Sequence, residues 1–307
     1  MTRLTIPAVL TAAALTLVGC SDPNTADTPA PEGNGEASAQ SLTVGSAAFP
    51  ESEIIAEIYA QALESTGLEV ERSMQIGARE VYAPALEGGE IDVVPDYTGN
   101  LLAYYDPETE ATGAEEIEAA LPEALPEGTE ILAPAPAEDK DSLNVTRAFA
   151  EEHSLTSIAD LAGVDAFAIA ANPEFAERSY GIPGLEKIYG LSNVRFVPIN
   201  DGGGPATVQA LLDGDVQVAN VYSTTPAIKD NDLVTLEDPE SMIAAQHVTA
   251  FVKSGRLSDG AVQLLERVNA ALTTEDLIEM NGRSSGDEKA APAVIAKDWL
   301  AASGITG

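Results

Sequence analysis

The chain has 307 residues, and its 50 acidic residues outnumber its 15 Lys and Arg, which gives a formal charge of −35 at pH 7. This length suits two domains of ordinary size, each with its own core. A surface this negative repels polyanions, so the composition argues against nucleic-acid partners and polyphosphate ligands.

The N-terminus resembles a bacterial lipoprotein signal. A short basic start is followed by an apolar run at 4–18, too short to span a bilayer comfortably, and this run ends in LVGC with the only cysteine of the chain, Cys20. We predict a signal peptide at 1–20 and lipidation of Cys20 after cleavage. Residues 21–41 lack aromatic and large apolar side chains, so we predict a disordered tether. Anchor and tether together place the remaining chain at the outer face of a membrane.

Alternating strand and helix signals after the tether predict an α/β fold. The predicted strands lie at 41–48, 68–76, 91–97, 130–132, 142–145, 166–171, 195–199, 216–222, 233–236 and 242–252. The predicted helices lie at 50–66, 77–86, 101–105, 115–125, 147–152, 157–161, 173–178, 205–213, 262–272, 274–280 and 292–302.

Two stretches of the chain repeat one pattern. Residues 85–97 align without a gap with residues 210–222, and each copy follows a glycine loop and ends in a tyrosine. Each copy predicts a helix, a short apolar strand and an exposed tyrosine at the carboxyl end of that strand, where open α/β sheets bind ligands. Tyr97 and Tyr222 are therefore expected to face each other across a cleft. The alternative, that any two βα units look alike at this level, stays open.

Two extended segments predict two lobes on a hinge. The Pro-rich segment at 133–136 crosses to a second lobe, and the apolar segment at 242–252 returns to the first. We predict lobe 1 from 42–133 plus 245–303 and lobe 2 from 134–244. Two α/β lobes joined by two crossings close around a ligand.

The residues do not suggest an enzyme. His153 and His247 belong to no metal-binding or nucleophile motif, and no GxSxG, HExxH or phosphate-loop motif is present. Asp139 and Asp141 flank a lysine, a pattern more typical of a surface than of a metal site. We therefore predict no catalysis, no metal and no cofactor. The glycine loop before Pro205 suits a carboxylate better than a nucleotide, because no lysine follows it.

Recognition of a small solute is the remaining function. The π faces of Tyr97 and Tyr222 suit a quaternary ammonium, which cannot donate hydrogen bonds. Arg178 is a candidate to clamp a carboxylate in bidentate fashion, and an ordinary salt bridge at a helix end is the alternative for this residue.

Four motifs resemble those of a known family: VGSxxFxE at 44–51, PDYTG at 95–99, RxYGxPGL at 178–185 and GGP at 203–205. They are similar to motifs of the substrate-binding proteins of osmoprotectant ABC importers, which bind glycine betaine, choline or carnitine and have the two-lobed type-II periplasmic-binding fold. The resemblance covers about 42–303.

The resemblance implies an extracytoplasmic, monomeric binding protein that closes on its solute and delivers it to ABC permease subunits. It implies that Tyr97 and Tyr222 form part of an aromatic cage around a trimethylammonium group, and that Asn100 and Arg178 hold the carboxylate. Ser46 and Phe49 of the first motif are further candidates for ligand binding. A sensor lipoprotein with the same two lobes, or a binder of another small zwitterion, remains the alternative.

The sequence also departs from this family. Ala47 stands where many relatives have a lysine, and the segment 141–144 lacks the usual third cage tyrosine. Gln246 and His247 stand where a fourth tyrosine is usual. Asp141 and His247 are candidates to fill this gap, since an acidic side chain neutralises a cation without an aromatic ring.

Overall fold

The computed structural model describes residues 41–306. The predicted signal peptide, nearly all of the predicted tether and Cys20 lie outside these residues. No helix within 41–306 is both long and apolar enough to cross a membrane.

Within residues 41–306, ten strands form two five-stranded sheets. In chain order they are β1 (Leu42–Gly45), β2 (Val70–Ser73), β3 (Val93–Tyr97), β4 (Thr129–Ile131), β5 (Asp141–Thr146), β6 (Phe167–Ala171), β7 (Val194–Pro198), β8 (Val218–Tyr222), β9 (Leu233–Thr235) and β10 (Val248–Lys253).

The helices surround these sheets. In chain order the α-helices are α1 (Pro50–Glu64), α2 (Arg79–Gly88), α3 (Thr98–Tyr105), α4 (Ala114–Ala124), α5 (Arg147–His153), α6 (Ile182–Tyr189), α7 (Pro205–Leu212), α8 (Ala227–Asp230), α9 (Asp259–Ala271), α10 (Thr274–Ser285) and α11 (Pro292–Ser303), with 3-10 turns at Ile158–Gly163 and Pro173–Ala176.

The two sheets have the same design. The strand order is β2-β1-β3-β10-β4 in the first sheet and β7-β6-β8-β5-β9 in the second. In each sheet three parallel strands are followed by one antiparallel strand, β10 in the first sheet and β5 in the second. The repeated sequence pattern therefore has a structural counterpart, because α2–β3 and α7–β8 occupy equivalent positions in their sheets.

The chain passes between the sheets twice. The segments 132–140 and 236–247 make these crossings, and an antiparallel bridge between Glu138 and His247 joins them side by side. Two connections that lie side by side in this way are the arrangement expected of a hinge between two lobes.

Each sheet has apolar side chains on both faces. In the first sheet, Val93 and Tyr97 pack towards α1, whereas Val94 and Phe251 pack in a separate cluster with α3 and α4. The second sheet likewise separates two clusters. Side chains alternate between the faces of a strand, so a nearly continuous apolar strand is required to fill both.

The structure corrects several sequence predictions. The helix expected at 173–178 is only a short 3-10 turn, and α6 and α8 were not expected. Pro183 lies in the first turn of α6, where a proline is well tolerated. The strand expected at 242–252 begins only at Val248, because Asp238 accepts hydrogen bonds from the backbone of Met242 and Ile243 and holds the preceding segment as a loop.

Candidate functional site

A cavity of about 120 Å³ lies between the two lobes. Its walls come from both sheets, including the ends of β3 and β8. Six of the eight ligand-binding candidates line it, namely Tyr97, Tyr222, Asn100, Arg178, Phe49 and Asp141. We call this cavity the cleft.

Three aromatic rings form one wall of the cleft. Phe49, just before α1, lies between the two tyrosines, with ring centroids 6.2 Å from Tyr97 and 5.5 Å from Tyr222. Tyr97 belongs to the first sheet and Tyr222 to the second, so this wall joins the lobes. Tyr97 is buried, not exposed as the strand-end position predicted. It still lines the cleft.

A buried carboxylate fixes the ring of Tyr97. The Tyr97 hydroxyl donates a hydrogen bond of 2.5 Å to Glu51 Oε1, and burial together with the Glu51 charge raises the pKa of this hydroxyl well above its ordinary value. Glu51 Oε2 accepts hydrogen bonds of 2.6 Å from Thr224 and from Asn281. Since Thr224 follows β8 of the second sheet, Glu51 connects the two lobes as well as positioning Tyr97.

An amide holds Tyr222 in place. Asn172 Nδ2 donates to the Tyr222 hydroxyl at 3.1 Å, and Asn172 Oδ1 accepts from the backbone N–H of Gly202 at 3.1 Å. Gly202 has a φ of +67°, and a Cβ at this position would lie 3.0 Å from the Cβ of Phe49. The second glycine loop therefore touches the first lobe across the cleft.

Asp139 and Asp141 are buried in the cleft, contrary to the surface position that their neighbouring lysine suggested. Burial raises the pKa of Asp141, and this rise is opposed by the nearby amides of Asn220 and Asn100. Burial and the Glu51 charge raise the pKa of Asp139 well above its ordinary value. Both acids are buried because they lie where the first crossing segment meets β5.

Both arginines of the cleft are paired with acids. Arg178 Nη2 lies 2.8 Å from Glu80 Oε1 at the start of α2, so it makes a salt bridge and also lines the cleft. Arg79 makes a buried bidentate pair with Asp96, at 2.6 Å for the shorter contact. Neither guanidinium faces the cleft without a counter-charge, whereas Asp141 has no ion pair within the described residues.

The structure does not bring Ser46 and His247 to the cleft. The Ser46 hydroxyl is fully buried and accepts a hydrogen bond of 2.8 Å from the backbone N–H of Gln75. His247 Nδ1 lies 2.9 Å from the carbonyl oxygen of Ala135, in the other crossing segment. Both residues therefore hold backbone segments together.

Several residues of the cleft were missed at the sequence level. They are Arg79, Tyr82, Asn172, Phe175, Tyr180 and Asn220. Tyr180 lies in one of the four motifs, and this position could have identified it as a residue of the cleft. The sequence contains no such indication for Arg79 and Tyr82, because their shared partner Asp96 lies on a different element. Within 41–306 no group of three His, Cys, Asp or Glu side chains is arranged to hold a metal ion.

Known proteins resemble this chain over most of its length. Residues 40–302 match the family model described as the substrate-binding domain of the ABC-type glycine betaine transport system. The chain is 29% identical over 282 residues to the glycine betaine-binding protein YehZ of Escherichia coli, covering 87% of this chain and 92% of that protein. It is 30% identical over 232 residues to a glycine-betaine-binding protein of Pseudomonas aeruginosa, covering 71% of this chain and 73% of that protein.

Solved structures show the same fold. The apo form of YehZ from Escherichia coli has a TM-score of 0.62 at 27% identity, covering 87% of this chain and 99% of that one. A glycine betaine/carnitine/choline ABC transporter structure has a TM-score of 0.69 at 19% identity, covering 87% and 100%. The chain belongs to the family of substrate-binding domains of ABC-type glycine betaine transport systems, and it is a two-lobed substrate-binding component of such an importer.

Proposed function

We propose that this chain binds a small quaternary ammonium or betaine-type solute in the cleft and delivers it to the permease of an ABC importer. Substrate-binding proteins of ABC importers work outside the cytoplasm with a permease. The relatives from Escherichia coli and Pseudomonas aeruginosa are named for glycine betaine.

One observation carries this proposal: the three-ring wall of Phe49, Tyr97 and Tyr222 lies in the same cleft as the buried carboxylate of Asp141. A methylated ammonium has no N–H to donate, so it gains most from aromatic faces and from an uncompensated negative charge. The rings come from both lobes, and a cation between them therefore favours the arrangement in which the lobes are in contact.

The oxygen-bearing end of the ligand is assigned to Asn100 and Arg178. Gln246 donates a hydrogen bond of 2.9 Å to Asn100 Oδ1, which orients the amide of Asn100. Arg178 has one face on the cleft while it pairs with Glu80, whose side chain is 49% exposed. Because Glu80 is half exposed, solvent screens this salt bridge, so a ligand carboxylate is able to compete for the guanidinium.

The remaining predictions concern organisation. We propose the lobe boundaries given above, 42–133 plus 245–303 and 134–244, because β1–β4 and β10 share one sheet and β5–β9 share the other.

We also propose lipidation of Cys20. Metabolic labelling with a radioactive fatty acid tests this, since Cys20→Ser should abolish incorporation and release the protein from the membrane fraction.

Calorimetric titration of the purified protein with glycine betaine, choline and carnitine tests the proposed function. We expect saturable binding of at least one methylated ammonium, weakened about tenfold or more by Tyr97→Ala and by Tyr222→Ala. Tyr104→Ala is the control, because this tyrosine packs edge-on against Tyr105 outside the cleft. Binding of another class of solute with no methylated ammonium bound would contradict the proposal.

A further inference from the structure

Asn220 has an amide nitrogen without a partner. Its Nδ2 is the one buried side-chain nitrogen or oxygen in residues 41–306 that makes no hydrogen bond. The residue is only 2% exposed, and it lines the cleft. Because side chains alternate along a strand, Asn220 lies on the same face of β8 as Tyr222.

The rest of β8 shows that this amide is not needed for packing. Val218, Ala219 and Val221 are apolar and almost completely buried. A buried donor without an acceptor destabilises the folded protein, and native structures rarely retain one without a function. An apolar residue of similar size at 220 would continue the pattern of the strand at no such cost.

Asp141 does not satisfy this donor. The Asn220 amide faces Asp141 and favours its charged form, but the two groups do not meet the geometry of a hydrogen bond. An amide carries two N–H donors, so one would remain even if the other turned towards Asp141.

We propose that Asn220 Nδ2 donates a hydrogen bond to an oxygen of the bound ligand, and so selects methylated ammonium ligands that carry an acceptor. This inference rests on the proposed function. Asp141 and the aromatic wall take the cationic end, and Asn220, on the same strand as Tyr222, meets the first oxygen beyond it. Ligands that offer an oxygen at this position include a carboxylate and an alcohol, whereas a bare tetraalkylammonium offers none.

The experiment compares three ligands on the wild type and on Asn220→Leu by calorimetric titration: glycine betaine, choline and tetramethylammonium. We expect Asn220→Leu to weaken binding of glycine betaine about tenfold or more and of choline about fivefold, since a hydrogen bond to a charged acceptor is the stronger. Binding of tetramethylammonium should change by less than about twofold.

Asn172→Leu is the comparison variant. The Asn172 amide is already used by the Tyr222 hydroxyl and the Gly202 backbone. We expect this variant to weaken the binding of all three ligands by a similar factor, because it disturbs the position of the Tyr222 ring and not a contact to the ligand oxygen.

Thermal unfolding without ligand separates a binding role from a structural one. At a pH low enough for Asp141 to be protonated, where this carboxyl does not depend on the amide, Asn220→Leu should be at least as stable as the wild type, because it removes an unpartnered buried amide. Asn144→Leu should unfold at a lower temperature, because the Asn144 amide donates to Ser142 and accepts from Thr235.

Two results would overturn the inference. Equal losses for all three ligands in Asn220→Leu would mean that Asn220 acts through Asp141, and a marked loss of stability would mean that it supports the fold. If the wild type binds none of the three ligands, the proposed function fails together with this inference. If it binds them and the losses are equal, only this inference fails.

Discussion

Arg178 and Glu80 form an ion pair between the two halves of the molecule, with Nη2 and Oε1 2.8 Å apart. Glu80 lies in the first turn of α2, which leads into the first sheet, and Arg178 follows β6 of the second sheet. Arg178 therefore makes the salt bridge that was one of its two alternatives, and it also lines the cleft; its role as a carboxylate clamp stays a prediction. Glu80 and a ligand carboxylate compete for one guanidinium, so this pair lowers the affinity for ligands that carry a carboxylate.

We expect Glu80→Gln to raise the affinity for glycine betaine relative to choline by about two- to fivefold. The substitution frees Arg178 for the ligand carboxylate, which choline lacks. The ratio of the two affinities is the useful measure, because both ligands require the same closure and any loss of the cross-lobe salt bridge affects them equally. Titration calorimetry of both ligands provides it.

Glu87→Gln is the matched control for this prediction. It makes the same change of charge in the same helix, but Glu87 accepts a hydrogen bond from Tyr105, away from the cleft. Its affinity ratio should equal that of the wild type. An unchanged ratio in Glu80→Gln would show that Arg178 does not meet a carboxylate.

Part of this site was accessible from the sequence. Tyr97 and Tyr222 were predictable because the repeat placed both at strand ends, and the ends of β3 and β8 do meet one cavity. The buried pair of Arg79 and Asp96 was not predictable from the sequence, because only tertiary packing brings the start of this helix to the end of this strand. Asp139 was not expected in the cleft since charge suggests exposure, whereas the crossing segment carries it into the interior; Asp141 was a candidate only because the resemblance left a gap in the aromatic cage.

Gly202 tests whether close contact of the lobes is needed for binding. A Cβ at Gly202 would lie 3.0 Å from the Cβ of Phe49 in the opposite lobe. We expect Gly202→Ala to weaken ligand binding about tenfold, because the lobes would have to stop short of the contact that completes the aromatic wall. Calorimetric titration with the best ligand measures this effect.

Gly214→Ala controls for backbone strain. Gly214 has a φ of +77°, close to the +67° of Gly202, but no atom lies within 4 Å of its would-be Cβ. Both variants should lose about 1 kcal/mol of stability from the left-handed conformation. Only Gly202→Ala should lose affinity, and equal affinities would rule out steric control of closure.

Asp139 predicts an unusual dependence of stability on pH. Burial and Glu51 raise its pKa in the folded protein, so the folded state binds more protons than the unfolded chain between the ordinary pKa and the raised one. This group therefore contributes stability that is present at low pH and is lost as the pH rises through the folded-state pKa.

Asp139→Asn should stabilise the unliganded protein at pH 8 by on the order of 1 kcal/mol, and the gain should shrink towards pH 4. Asparagine keeps an oxygen to accept from Ser223 and from the Thr224 backbone, as Asp139 does. Urea unfolding at several pH values measures the difference. Asp165 is exposed, and Asp165→Asn removes the same charge, so this variant should gain much less stability at pH 8. An equal gain in Asp165→Asn would mean that the change in net charge causes the effect.

Asp141 predicts that the affinity for a cationic ligand depends on pH. Burial raises the pKa of Asp141, and a bound cation favours the charged carboxylate, so binding of choline must expel any proton that this group holds. Affinity for choline should therefore be highest near pH 8 and should fall as the pH is lowered towards the raised pKa of Asp141.

Asp141→Asn should weaken choline binding about tenfold at pH 8 and remove most of the pH dependence, since it replaces the buried carboxylate with an amide that does not titrate. Titrations at pH 5 to 8 in buffers of different ionisation enthalpy measure the affinity and the protons released together. Asp139→Asn is the comparison, because it removes the other buried acid of the cleft while Asp141 remains. If the pH dependence persists in Asp141→Asn and disappears in Asp139→Asn, the carboxylate that meets the cation is Asp139.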